Sequence, residues 1–333
     1  MAPALALMLI LTTSAVALAG GTVTIGYQTF PAPYEVGIEN NSIQYECGWT
    51  ISFRRFNSGA EIFAAMAGGS IDIGDAGSSP IAAAASNGLD LRLFYISSVS
   101  GEDEALVVRE GTGIESAADL GGRRLAAAPV STDHYQLLAV LAQEGIPESA
   151  VHLFTIPQAE IVAGWKRGYI DAAFVWDPAL TELTRTGKVL LTSRQVAARG
   201  APTFNAFVST AKFADKNPDF LKAFVRAVDR FSASFKHHPE EWGPQSDYAR
   251  SLARLQGGTA AQQVERLRGF NAVDLADQAG PWLGGGEASG AARVLKSTSE
   301  FLVRQHKIGS ALPSYGKFVV KDSVAAAVQG AEK

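Results

Sequence analysis

Asp72-Ile73-Gly74, followed by Gly77-Ser78-Ser79-Pro80, reads as a short buried strand that ends in small polar residues and turns directly into a helix. Ser79 is the expected N-cap and Pro80 the expected first helical residue, because a proline there lacks only an N–H that would be unpaired anyway. Three further stretches repeat the plan: Thr24-Ile25-Gly26-Tyr27-Gln28-Thr29, Ser131-Thr132-Asp133-His134-Tyr135 and Phe174-Val175-Trp176-Asp177-Pro178. Apolar strands alternating with helices place the chain in the α/β class with largely parallel sheets. Helix N-termini carry unpaired N–H groups and a partial positive charge, so several around one cleft bind a small oxyanion without arginine.

Outward from these stretches the same alternation continues. Thr22 to Tyr27 and Thr50 to Phe56 are strand-like, with Ile51 and Phe53 on one face, and Pro31 to Asn41 starts as loop and becomes helix. Ser58-Gly59-Ala60-Glu61 is a capping-box sequence ahead of Ile62, Phe63 and Met66 at helical spacing, and Gly68-Gly69 stops that helix. After Leu91 to Ser97, the acidic run Gly101-Glu102-Asp103-Glu104 leads into an Ala105 to Val108 strand, where the chain is expected to cross into a second lobe. Leu125 to Ala128, Val151 to Ile156 and Ile170 to Trp176 supply strands there, with helices from Ser131-Thr132 and over Ala159 to Arg167. The return falls near Ala201-Pro202, before a Phe204 to Ser209 strand. Beyond Asn217-Pro218 the pattern is helical, including Phe220 to Phe235 and Ala291 to His306. Residues 20–104 and 205–333 thus form lobe one and 105–204 lobe two, a hinged clamshell in which closure traps a ligand between the lobes.

The 333 residues suffice for two lobes with separate cores. A net charge of −4 with scattered cations gives no bias toward nucleic acid or anionic membrane. Residues 1–19 read as a secretory signal, with Ala17-Leu18-Ala19 as a small-x-small cleavage site before Gly20, although the n-region lacks Lys and Arg. A short membrane anchor is the alternative, but the run is marginal for a span and no cationic flank follows it. No cysteine follows the cleavage site to take a lipid, so the expected location is the periplasm as a free protein.

Chemistry of other kinds finds no sequence support. There is no G-x-x-x-x-G-K-[ST] loop, no G-x-G-x-x-G after a strand and no G-x-S-x-G elbow. His134, His152, His237, His238 and His306 show no H-E-x-x-H spacing, and Cys47 is the one cysteine, so no metal and no cofactor is expected. His237-His238 reads as a solvated helix-to-loop junction.

Tyr27-Gln28-Thr29, Asn57-Ser58-Gly59-Ala60, Gly77-Ser78-Ser79-Pro80, Glu104-Ala105-Leu106-Val107-Val108, Ser131-Thr132, His134-Tyr135, Val175-Trp176 and Gly200-Ala201-Pro202-Thr203 follow one another in an order and spacing that resembles the periplasmic taurine-binding proteins of ABC importers. The resemblance runs from about Val23 to near the C-terminus. It implies the type II periplasmic binding-protein fold of the aliphatic sulfonate-binding group, with hinged lobes around mixed, largely parallel sheets. It also implies a monomer without catalytic activity, which captures taurine and delivers it to an inner-membrane permease with a separate ATPase subunit. Sibling branches bind alkanesulfonates, nitrate and thiamine-pyrimidine precursors, and certain desulfinases on the fold use a cysteine nucleophile. Cys47 lies ahead of the second strand, away from the first strand's end at Gln28-Thr29, which counts against the enzyme.

Taurine is a zwitterion, so its site must offer donors to a sulfonate and acceptors to an ammonium. Ser58, Gly59, Ser78, Ser79, Ser131 and Thr132 are the expected sulfonate donors, though each hydroxyl could equally be a simple N-cap. The resemblance places Glu104 at the ammonium, against the reading of a solvated acid in an acidic loop. Trp176 offers a cation–π face or is an ordinary core aromatic, and Gln28 is a further polar contact. Two positions depart from the taurine branch: Asn205 stands where it has Asp, and Trp176-Asp177-Pro178 where it has Trp-Ala-Pro. Asp177 then either restores the missing carboxylate or caps the following helix.

Overall fold

The computed structural model describes residues 20–322 and 324–325, so the expected signal segment at 1–19 lies outside the described residues. In chain order the strands are β1 (Thr22–Gln28), β2 (Thr50–Phe56), β3 (Ile73–Gly77), β4 (Leu91–Val99), β5 (Glu104–Arg109), β6 (Arg124–Ala127), β7 (His152–Thr155), β8 (Ala172–Trp176), β9 (Gly187–Thr192) and β10 (Phe204–Thr210). They form two five-stranded sheets, ordered β2-β1-β3-β10-β4 and β7-β6-β8-β5-β9. β1 is parallel to β2 and β3, and β6 to β7 and β8, while β10 and β5 run against both of their neighbours. Each sheet is therefore mixed and largely parallel, with one reversed strand.

Each reversed strand is the first element after the chain changes sheets. β5 begins at Glu104 and β10 at Phe204, so the chain crosses between the sheets twice. The crossings lie side by side: Ser100 N–H donates to the Thr203 carbonyl at 3.0 Å, and Thr203 N–H donates to Ser100 Oγ at 2.8 Å. Each sheet with its covering helices forms one lobe.

Both faces of the second sheet are covered, as a largely parallel sheet requires. Along β5, Leu106 and Val108 join a cluster with Leu137, Leu138 and Leu141, while Ala105 and Val107 join another with Trp165 and Ile161. The first lobe's core is richer in aromatics: Phe207 on β10 meets Phe224 of the Pro218–His237 helix at 5.0 Å between ring centroids. Trp176, at the end of β8 in the second sheet, packs into this first-lobe core. The Gly290–Arg304 helix also touches both lobes. It buries Leu295 in the first core and sets Phe301 edge-on against Tyr135, ring centroids 5.2 Å apart.

Two local expectations need correction. The helix after β3 spans Ser78–Ser86 with Gly77 as N-cap, so Ser79 and Pro80 lie inside its first turn and Ser79 caps nothing. Proline is tolerated there because no first-turn N–H has an intrahelical acceptor, so its ring does not by itself mark the first residue. At Ser58 half of the capping box forms: its Oγ accepts from Glu61 N–H at 3.2 Å, but the Glu61 carboxylate accepts from Asn57 N–H instead of Ser58. Pro31 to Asn41 does start as loop and become helix, at Glu35–Glu39, and a second helix follows at Ser42–Cys47.

Candidate functional site

The ends of β1 and β3 in one lobe and the start of β5 and end of β8 in the other face a common cavity of about 20 Å³. That is far below the roughly 300–1,000 Å³ of ligand pockets, so the lobes stand closed on the site. Gln28, Gly59, Glu104, Ser131, Thr132, Trp176 and Asn205 line it, together with Phe30, Gly77 and Pro80. Seven of the eleven expected site residues are thus brought to one space, from segments up to 177 positions apart in the chain.

Glycine is what lets the helix starts approach. A Cβ on Gly59 would stand 2.8 Å from Pro80 Cγ, and one on Gly77 would stand 2.7 Å from Thr132 Cγ2. The second contact spans the lobes, so Gly77 allows the N-terminus of the Ser78–Ser86 helix to close against that of Thr132–Gln143. Gly77 also pairs with Asn205 in the ladder between β3 and β10. Asn205 donates through Nδ2 to Ser98 Oγ at 3.1 Å, which fixes the amide; its Oδ1 lies 3.4 Å from the position of that Gly77 Cβ.

The hydroxyls divide into several roles. Ser131 Oγ accepts from His134 N–H at 3.0 Å and donates to the Ala128 carbonyl at 2.7 Å, so it is an N-cap and its hydroxyl is committed. Thr132 donates through Oγ1 to Glu104 Oε1 at 2.9 Å. Ser58 caps its helix and stays outside the cavity lining, leaving Gly59 as the lining residue there. Ser78 Oγ accepts from Phe204 N–H at 3.4 Å, tying its helix to β10. Ser79 is fully buried, and its Oγ has no hydrogen-bond partner among the described residues. Capping and bracing account for the hydroxyls of Ser58, Ser78 and Ser131 but not of Ser79, and the first-turn backbone N–H groups of these helices are free of intrahelical acceptors.

Glu104 is not a solvated acid. It is the first residue of β5, opposite Trp176 of β8, and only 9% exposed. Burial pushes its carboxyl up to about 7, held from going further by the donors Thr132 and Asp133. Trp176 is 6% exposed; it packs in the core and also walls the cavity. Gln28 donates through Nε2 to the Asp75 carbonyl at 3.3 Å, and Asp75 beneath it is wholly buried, accepting from Tyr34 Oη at 2.7 Å and Ser97 Oγ at 3.0 Å.

Asp177 is where expectation and geometry part. Its Oδ1 accepts from the Thr181 N–H at 3.0 Å and it does not line the cavity, so it serves the Ala179–Leu183 helix and supplies no replacement acid there. The reason is local: a carboxylate four residues ahead of a first-turn N–H reaches it without leaving its own backbone. Sequence reasoning also passed over Asp133. It reads as an acid matched to a helix N-terminus, and nothing local reveals that it is buried without solvent.

Among the described residues no cluster of three His, Cys, Asp or Glu is arranged to hold a metal. Cys47 is half-buried at the end of the Ser42–Cys47 helix, and burial pushes its thiol up to about 12, the opposite of what a nucleophile needs. His237 is not simply solvated, because its Nε2 lies 2.6 Å from the Asp274 carboxylate.

Residues 54–242 match the family model described as NMT1/THI5 like. Over 297 residues, the chain is 35% identical to the taurine-binding periplasmic protein of Escherichia coli strain K12, covering 89% of this chain and 91% of that one. The chain belongs to the NMT1/THI5-like family, in its group of periplasmic taurine- and sulfonate-binding proteins. The fold is that of the alkanesulfonate-binding protein SsuA from Xanthomonas axonopodis pv. citri bound to MOPS, with a TM-score of 0.72 at 20% identity over 91% of this chain and 97% of that one. It is shared with the desulfurization enzyme DSZB, with a TM-score of 0.61 at 14% identity over 94% of this chain and 100% of that one. Likeness at these identities shows the fold alone.

Proposed function

We propose that this protein captures taurine in the cavity between its lobes and delivers it to the permease of an ABC importer, working in the periplasm after loss of residues 1–19. The observation that carries this reading is the mixed lining. The N-terminal turns at Gly59, Gly77 and Thr132 surround the same space as one buried carboxylate, Glu104, with the Trp176 ring beside it. Backbone N–H groups suit three sulfonate oxygens, and the carboxylate with an aromatic wall suits an ammonium. Residues from both lobes touch the ligand, so binding favours the closed arrangement over an open one, and a permease can read that difference. The similarity to the taurine-binding protein of Escherichia coli supports the choice of ligand.

A second reading rests on Asn205. A neutral amide on the cavity suits an aliphatic sulfonate without an amine. Calorimetric titration of residues 20–333 with taurine and with ethanesulfonate separates the two. Tight binding of taurine alone supports the first; equal or tighter binding of ethanesulfonate overturns it in favour of the second. On the same fold, an enzyme of the desulfinase kind would need an activated thiol at the cavity, and Cys47 is neither at the cavity nor activated.

A further inference from the structure

Asp133 is the second residue of the Thr132–Gln143 helix, it is fully buried, and neither of its carboxyl oxygens receives a hydrogen bond from any described donor. An ionised carboxylate in such a place is strongly disfavoured, and among the described residues no cation hydrogen-bonds to it. The charged groups facing it are Glu104, with which its carboxyl is in hydrogen-bonding contact, and Asp103. Beyond these, Asp177 and Arg194 face Asp103, and Glu265 and Arg266 face Asp177. Adjacent buried carboxyls do not all ionise together; one keeps a proton and donates it to its neighbour. Which one keeps it follows from the partners. Glu104 accepts from Thr132 Oγ1, whereas Asp133 has no donor among the described residues, so the charge settles on Glu104 and the proton on Asp133.

We propose that Asp133 is a positioning residue for the amine end of the ligand: its protonated carboxyl donates to Glu104 and keeps Glu104 the charged acceptor for an ammonium. The proposal rests on the taurine reading above. Among the described residues Glu104 is the only acid lining the cavity, and it lies in the same lobe whose helix start carries Asp133. Burial and the charge of Glu104 hold Asp133 well above the usual carboxylate range, whereas Glu104 rises only to about 7, which agrees with this division of roles. Without the donor, Glu104 would hold its own proton to higher pH and would meet the ammonium as a neutral acid.

The test is calorimetric titration of wild type, Asp133→Asn and Asp133→Ala with taurine and with ethanesulfonate between pH 5.5 and 8. Wild-type affinity for taurine is expected to fall about tenfold per pH unit below the pKa of Glu104, while that for ethanesulfonate is not. Asp133→Asn keeps an N–H donor in place of the O–H, so its taurine profile should overlay wild type. Asp133→Ala removes the donor, and its fall should begin at least about one unit higher, giving roughly tenfold weaker taurine binding at pH 7 with ethanesulfonate binding retained. Retained ethanesulfonate binding also shows that the cavity is folded. The proposal is overturned if Asn behaves as Ala does, if Ala leaves the taurine profile unmoved, or if both ligands weaken together in Asp133→Ala. A wild type that binds taurine while any of these holds refutes the role of Asp133 alone; a wild type that binds ethanesulfonate but no taurine overturns the taurine reading as well.

Discussion

Replacing Glu104 with Gln should make the empty protein more stable at neutral pH while removing its grip on an amine. Folding raises the Glu104 carboxyl from an ordinary value of 4.5 to about 7, with burial as the main cause. Between those values the unfolded chain has released this proton and the native chain still holds it. The native state therefore binds more protons, and stability falls as pH rises through that window. At about 1.36 kcal/mol per unit, the loss approaches 3 kcal/mol by pH 8. Gln keeps the shape and an acceptor for Thr132 Oγ1 but cannot ionise, so this loss disappears. Urea denaturation is the assay: Glu104→Gln and wild type should unfold at similar midpoints at pH 4.5, and the variant should be more stable by about 1–3 kcal/mol at pH 8. Taurine binding should weaken by about 1.5–3 kcal/mol, the range for a hydrogen bond to a charged group. A variant less stable than wild type at pH 8, or one whose stability difference is the same at both pH values, would refute the claim that burial raises the Glu104 carboxyl.

Gly77→Ala places a methyl 2.7 Å from the position of Thr132 Cγ2 across the lobes, so closure should be hindered. Affinity for taurine or ethanesulfonate should drop at least about tenfold, with the ligand-induced shrinkage seen by small-angle scattering reduced; unchanged affinity would show that the lobes need not approach this closely. Asp177→Asn should cost about 0.5–2 kcal/mol of stability by weakening a helix start, and taurine affinity by calorimetry should stay within about threefold of wild type. A loss of affinity there with stability unchanged would return Asp177 to the ligand.

Much of the molecule could be read from the chain because the deciding physics is local. Strand periodicity, the Ser131 cap and the small residues at strand ends act within a few positions, and they located the elements that meet at the cavity. Local signals also misled where two structures satisfy the same rule. Ser79-Pro80 fits a helix start, yet Gly77 provides it, since a first-turn proline is acceptable at several positions.

Charge and closeness were decided only by the tertiary structure. Glu104 and Asp133 are 29 positions apart and belong to different elements; no pattern around either shows that both are buried and face one another. Asp177 looked like a compensating acid until its carboxylate was seen on Thr181, and Gly77 looked like any strand-end glycine until Thr132 was found against it. The sequence by itself determined the elements, their α/β order and the residue types at the strand ends, because these follow from backbone preference and periodicity. Only the packing of one lobe on the other decided which carboxyl lost its water and which side chains face the ligand, because desolvation and steric contact depend on the distances between segments that the chain itself leaves far apart.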